Sequence, residues 1–325
     1  MKPILSIIVP AHNANATLPR LLESISAQNL PLEIIVVDDC SDEPCKRLAL
    51  SFRGPKLDIR YIRPPQQVFT KEARLLGLET ASAEIVTFAD ADDVLYGTDQ
   101  IGAAVELFQR QEPDILHCGT VNMAATSTCE ISWYGPVAAE LSNWEIIERC
   151  AAHSRYSVWG KFYRRSLWQR LIPEARNFPV RRFLEDVYLS FLYALHAKRY
   201  IGAPILVYGY HIDPSKKYTR ALDRMFAANI IRRDFIPYMH KCACPEDTVM
   251  AIEIHLRRLI LKQVAFWLTD FSLLQELEKE NVESFNFSRA LTVGMSHREL
   301  LRILLESNAL LASMLTSMIW KTSIG

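Results

Sequence analysis

Three carboxylates, Asp90, Asp92 and Asp93, fall within four positions at the end of the β-branched, apolar run Glu84-Ile85-Val86-Thr87-Phe88-Ala89. Like charges that close repel one another unless a cation or hydrogen-bond donors lie among them. A hard divalent ion suits the set, because magnesium or manganese prefers oxygen, takes one or two protein carboxylates and completes its shell with water and substrate phosphates. A plainer use of the same residues is a turn that caps the next helix. A second pair, Asp38-Asp39, ends the run Glu33-Ile34-Ile35-Val36-Val37, and Pro10-Ala11 ends Leu5-Ser6-Ile7-Ile8-Val9. A third acidic pair, Glu185-Asp186, opens a segment whose apolar positions Val187, Leu189, Phe191, Leu192 and Leu195 read as a buried helix. Acidic residues there also suit the positive end of a helix dipole.

The hydrophobic pattern supplies the scaffold for these groups. Runs at 5–9, 33–37, 59–62 and 84–89 read as strands, and helical spacing appears over 18–25, 44–52, 71–80 and 101–111. Alternating strands and helices imply right-handed crossovers and a mainly parallel sheet, whose strands place their carboxyl ends along one edge. Pro10-Ala11, Asp38-Asp39 and Asp90-Ala91-Asp92 should therefore line a single crevice. No Gly-x-Gly-x-x-Gly follows the first strand and no Gly-Lys-Ser/Thr loop exists, which sets aside dinucleotide dehydrogenases and P-loop enzymes. A nucleotide diphosphate would instead be held through a metal, with carboxylates accepting from ribose and base.

The 37 basic and 37 acidic residues cancel, so nothing in the charge points to nucleic acid as a partner. Seven scattered cysteines without Cys-x-x-Cys spacing fit reduced thiols in a cytosolic setting, and the start of the chain lacks the features of a signal peptide. No apolar run is long enough to span a bilayer. His117, alone on an apolar strand, reads as a core histidine.

Ser6-Ile7-Ile8-Val9-Pro10-Ala11-His12-Asn13, Ile35-Val36-Val37-Asp38-Asp39-Cys40-Ser41-Asp42 and Phe88-Ala89-Asp90-Ala91-Asp92-Asp93 resemble, in order, the two strand–loop segments and the metal-binding Asp-x-Asp segment of family 2 glycosyltransferases, whose fold is called GT-A. The resemblance runs over residues 4 to 212 and implies roles. Pro10, Ala11 and Asp39 would contact base and ribose, Asp90 the ribose, and Asp92 the Mn2+ or Mg2+ ion. Ala73-Arg74-Leu75-Leu76-Gly77-Leu78 is similar to the family's Ala-Arg-Asn-x-Gly helix with Leu75 in place of the asparagine. Arg74 would lie near the phosphates or base, or form a salt bridge to one of the aspartates. Lys161 resembles the lysine of an Asn-Lys-x-Tyr-Arg segment, with Gly160 in place of the asparagine, and would face the diphosphate. Asp186 would be the general base of an inverting transfer, with Glu185 the fallback.

The expected fold is thus α/β: a GT-A-type, mainly parallel sheet flanked by helices, followed by an α-helical C-terminal region. Residues 1–212 form the catalytic domain, with a nucleotide-sugar half at 1–120 and an acceptor half at 121–212, and residues 213–325 the helical region, with helices near 221–238, 246–268, 273–280 and 297–320. The expected function is inverting, metal-dependent transfer of a sugar from a nucleotide-diphosphate donor, a UDP-sugar favoured, to a saccharide or lipid-linked saccharide acceptor in polysaccharide or glycolipid biosynthesis. The alternative is a non-catalytic nucleotide-sugar or polysaccharide-binding subunit that kept the fold. A sugar nucleotidyltransferase is set aside because Pro10-Ala11-His12-Asn13 is not a glycine- and arginine-rich loop. The apolar face formed by Leu300, Ile303, Leu304, Leu310, Leu311, Leu315 and Met318 must be buried within the chain, in a homodimer or on the inner membrane surface. The expected location is cytoplasmic, free or peripheral on that membrane.

Overall fold

The computed structural model describes residues 2–52, 54–124, 140–152, 157–180, 184–212 and 221–269. These fall into two compact units, one of residues up to 212 together with 243–248, the other of residues 221–242 and 249–269. The first unit is mixed α/β. In chain order it holds β1 (Leu5–Ala11), α1 (Leu18–Ser26), β2 (Leu32–Asp38), α2 (Lys46–Ala49), β3 (Leu57–Ile62), α3 (Phe69–Thr80), β4 (Ile85–Phe88), β5 (Val94–Leu95) and α4 (Gln100–Gln111). It continues with β6 (Ile115–Ala124), β7 (Glu140–Ser142), α5 (Trp144–Ala152), β8 (Lys161–Arg164), α6 (Arg165–Asn177), α7 (Glu185–His196) and β9 (Arg199–Ile212). The described part of the second unit is helical, from α8 (Ala221–Lys241) and α9 (Glu246–Thr269).

One sheet runs in the order β3-β2-β1-β4-β8-β6-β9-β5, with β7 on β9. Every residue of β1 and β2 is buried, as strands covered on both faces require. Helix α1 buries Leu18, Leu21, Leu22 and Ile25, a single stripe of a 3.6-residue period. From β3 to β4 the pairing is parallel, as the strand–helix alternation implies. Beyond β4 the sheet is mixed. Strand β8 lies antiparallel between β4 and β6, and β5 and β7 run antiparallel to β9, which is parallel to β6. Strand β5 begins six positions after β4 ends, too short a link for a parallel crossover, so it pairs with β9 instead.

Other boundaries differ from the sequence reading. The helix expected over 44–52 is a single turn at Lys46–Ala49, and the apolar strand that carries His117 runs from Ile115 to Ala124. The expected helices at 273–280 and 297–320, with the apolar face on the latter, lie outside the described residues. Among the described residues no helix is long and apolar enough to cross a membrane.

Helix α3 carries Arg74 and is seated directly on the sheet. It lies against β1 and β2, and a Cβ at Gly77 would fall on Ile8 Cγ2, with Ile8 Cγ1 at 3.3 Å. Glycine is needed there for close approach. Gly77→Ala should therefore cost about 1–3 kcal/mol by overpacking, read as a lower urea midpoint at unchanged slope. An unchanged midpoint would show that α3 is free to shift away from the sheet.

Candidate active site

Strands β1 and β2 stay paired to their ends, Ala11 opposite Asp38, whereas β1 and β4 part after Ile8 and Phe88. The segments Pro10–Ala11 and Ala89–Asp93 thus diverge at the carboxyl edge, the place where open α/β sheets bind ligands. The two adjacent aspartates of β2 do different work. Asp38 accepts from the Ser41 and Cys45 amides at 2.9 and 3.0 Å, the Tyr61 hydroxyl at 2.6 Å and Arg63 at 3.1 Å. Burial opposes its ionisation, but these donors, the Tyr61 hydroxyl foremost, hold its carboxyl down at about 2. Asp39, 5% exposed, accepts from the Val68 and Phe69 amides at 2.6 and 2.9 Å and so fixes the first turn of α3. Each of its oxygens keeps a second acceptor position for a ribose or base donor.

Arg74 joins the two halves of the site. Its guanidinium, 3% exposed, donates from Nη2 to Asp90 Oδ1 at 2.7 Å and from Nη1 to Glu185 Oε1 at 2.8 Å. Of the two settings expected of this residue, the salt bridge to an aspartate is made, to Asp90. Burial raises Glu185 to about 7 and outweighs the opposing pull of Arg74; Asp186 beside it raises it further. Burial likewise raises Asp186, with Arg74, the Val187 amide at 2.9 Å and Lys161 opposing and Asp90 adding. A half-buried carboxylate whose proton affinity lies above the ordinary aspartate range is suited to general-base work.

Around the Asp-x-Asp turn the carboxylates are divided. Asp93 is fully buried and accepts from Tyr208 Oη at 2.6 Å and from the His211 amide at 2.7 Å, while Tyr208 Oη accepts from the Asp90 amide at 2.9 Å. Burial, with repulsion from Asp90, raises Asp93 to about 8. Asp93 is therefore tied to β9 rather than capping a following helix, and Asp92 lies on the half-exposed side of the turn. The His211 imidazole lies within electrostatic reach of Asp92 and Arg20, and its buried Nδ1 has no hydrogen-bond partner in the structure. Burial, assisted by Arg20, lowers its proton affinity and favours the neutral form that binds metals. Among the described residues no three histidine, cysteine or carboxylate side chains make a ready cage. Asp92 with His211 fits an ion that keeps water and phosphate ligands.

Lys161 is buried, 2% exposed, and donates to the Ser157 carbonyl; its charge reaches Asp186. The neighbouring Trp159 ring stacks on Tyr208 at 5.0 Å and on the exposed Tyr210 at 5.2 Å. Pro10, Ala11, Asp39, Asp90 and Asp92 come to one edge, and Arg74 connects that edge to Glu185 and Asp186. His117 bonds the Tyr200 hydroxyl at 2.9 Å inside the sheet. Sequence reasoning did not single out His211 or Tyr208, because their partners lie 118 and 115 positions away.

Removing one partner of a buried ion pair leaves an uncompensated charge, so Arg74→Met should destabilise the fold by about 3 kcal/mol. Chemical denaturation of the variant checks it. A loss indistinguishable from zero would mean that Asp90 and Glu185 find other partners.

Residues 6–125 match the family model described as glycosyl transferase family 2. A PGL/p-HBAD biosynthesis glycosyltransferase of Mycobacterium bovis is 31% identical over 175 residues, 53% of this chain and 63% of that protein. The chain spans less than two thirds of the length of the curated relatives it matches. Among solved structures, S. aureus TarS in complex with UDP-GlcNAc superposes with a TM-score of 0.59 at 21% identity, covering 85% of this chain and 77% of that one. The mannosyltransferase PcManGT of Pyrobaculum calidifontis, in complex with GDP-Man and Mn2+, gives 0.52 at 16% identity, over 94% and 87%. At those identities the two structures bear on the fold alone, which is GT-A-like in both comparisons. The stretch that matches this family model lies over the strands that build the carboxylate edge.

Proposed function

We propose that the protein is an inverting, metal-dependent glycosyltransferase that moves a sugar from a nucleotide-diphosphate donor, a UDP-sugar favoured, to an acceptor hydroxyl in polysaccharide or glycolipid biosynthesis. The observation that carries this reading is the buried guanidinium of Arg74, bonded at once to Asp90 on the donor edge and to Glu185 beside Asp186. Pro10, Ala11 and Asp39 face the base and ribose, and Asp90 the ribose. Asp186 accepts the proton of the acceptor hydroxyl as its oxygen forms a bond to the anomeric carbon. The bond from that carbon to the phosphate oxygen breaks on the opposite face, and the nucleoside diphosphate leaves with the bonding electrons. Asp92 and His211 would hold Mn2+ or Mg2+, which when bound supplies positive charge to the departing diphosphate. Lys161, inside the fold near Asp186, keeps that carboxyl from rising as far as burial alone would drive it.

Screening nucleotide-sugars for release of nucleoside diphosphate tests the activity directly; no release with any donor, with manganese and a saccharide acceptor present, would overturn it. Asp92→Asn should abolish the metal dependence of nucleoside-diphosphate binding measured by calorimetry, since an amide replaces the anionic ligand of a hard cation.

Asp186→Asn should leave that binding intact and lower turnover by about 100- to 10,000-fold, the range for loss of a general base. The base works ionised, and burial raises its proton affinity, so activity is present at neutral pH and lost as pH falls. The acid limb of the turnover profile should lie above the ordinary aspartate range. A limb that stays in the wild-type position in Asp186→Asn would assign it to another group.

A further inference from the structure

Lys71 lies one turn before Arg74 on α3 and is 3% exposed. Its ammonium donates to the carbonyls of Ala175 at 2.7 Å, Arg176 at 3.3 Å and Phe178. Those oxygens belong to the end of α6, where Phe178 is extended, at φ −72° and ψ 134°. The last carbonyls of a helix have no intrahelical partner and carry the negative end of its dipole, so a buried cation there serves as cap and counter-charge together. Immediately beyond, the Phe178 ring stacks on Tyr188 of α7 at 3.7 Å, with 7° between the planes. Helix α3 therefore bonds the end of α6 through Lys71 and the start of α7 through Arg74.

We propose that Lys71 is a positioning residue for the general base. By capping α6 it fixes Phe178, and through the Phe178–Tyr188 stack it fixes the first turn of α7, where Asp186 stands. The proposal rests on the reading of Asp186 as base. Arg176 of α6 also joins α3, its guanidinium bonding Glu72 and Glu79 at 2.7 and 2.9 Å, and so serves as a control for docking of α6 on α3 in general.

The experiment compares Lys71→Met, Lys71→Gln, which keeps N–H donors, and Arg176→Gln with the wild-type chain. Amide hydrogen exchange is read without substrate at Tyr188, whose N–H bonds Leu184 at 3.1 Å, and at β1 and β2 as internal reference. Lys71→Met should speed exchange at Tyr188 by about tenfold and leave β1 and β2 unchanged, Lys71→Gln should do less, and Arg176→Gln should do nothing there. Turnover should fall by about tenfold in Lys71→Met, with the KM for the donor unchanged, the signature of a displaced catalytic group rather than a damaged donor site. Unchanged exchange at Tyr188, a uniform rise across all three elements, or a KM that moves with kcat overturns the proposal. Should the wild-type chain transfer no sugar, the functional reading fails, and the exchange result still decides whether Lys71 positions α7.

Discussion

A buried guanidinium between two carboxylates is the constraint on which this site depends. Asp90, Glu185 and Asp186 stand close together in a region of low dielectric, where burial alone pushes Glu185 to about 7 and raises Asp186 as well. Arg74 is the largest opposing influence on both. It can serve Asp90 and Glu185 together because its planar fork presents two N–H directions at once, which a lysine ammonium, a flexible point charge, does not. The carboxylate edge and the acidic first turn of α7 are thereby held by one side chain. The fit of α3 on β1 at Gly77 sets how deep that side chain reaches.

The backbone on either side carries strain in support of this arrangement. Phe69, at the first position of α3, and Leu184, immediately before α7, both lie in the left-handed region, at φ 67° and 57°. Bulky residues avoid that region, and its cost persists only where neighbouring contacts over-determine it. At Phe69 the contact is the Asp39 carboxylate on its amide. At Leu184 it is the carbonyl bonded by Tyr188, with Glu185 drawn to Arg74 next in sequence. The helices bearing Arg74 and Asp186 therefore start from points that the site itself fixes.

The carboxylate edge was legible in the sequence because strand runs that end in aspartates carry their own address. The parallel half followed from strand–helix alternation, and the mixed half did not, since β5, β7 and β8 are short and their partners are distant in the chain. Two departures from the family pattern make physical sense in the fold. Leu75 is fully buried, so its place in α3 belongs to the core. Gly160 sits at φ 70°, and a Cβ there would stand 2.6 Å from Thr120 Cγ2; glycine and asparagine are the residues that accept such a φ. Lys71, Tyr208 and His211 escaped notice because a lone polar residue in an apolar run reads as ordinary until its partner, about a hundred positions away, is known.

Strand β9 pairs with β5, β6 and β7 and also supplies the two donors that receive Asp93. A nascent chain leaves the ribosome amino end first, so β1 to β4 and α3 emerge long before Tyr208 and His211. Until those residues arrive, Asp93 lacks the partners that accompany its burial, and Asp92 lacks the imidazole beside it. The edge built by β1, β2 and β4 can form early from local crossovers, whereas the acidic turn at residues 90–93 waits for contacts of long sequence separation, the slow kind in folding. A truncated product that ends before β9 is thus left with most of a sheet and an unfinished acidic turn, a natural division between chains that quality control should clear and chains ready to work.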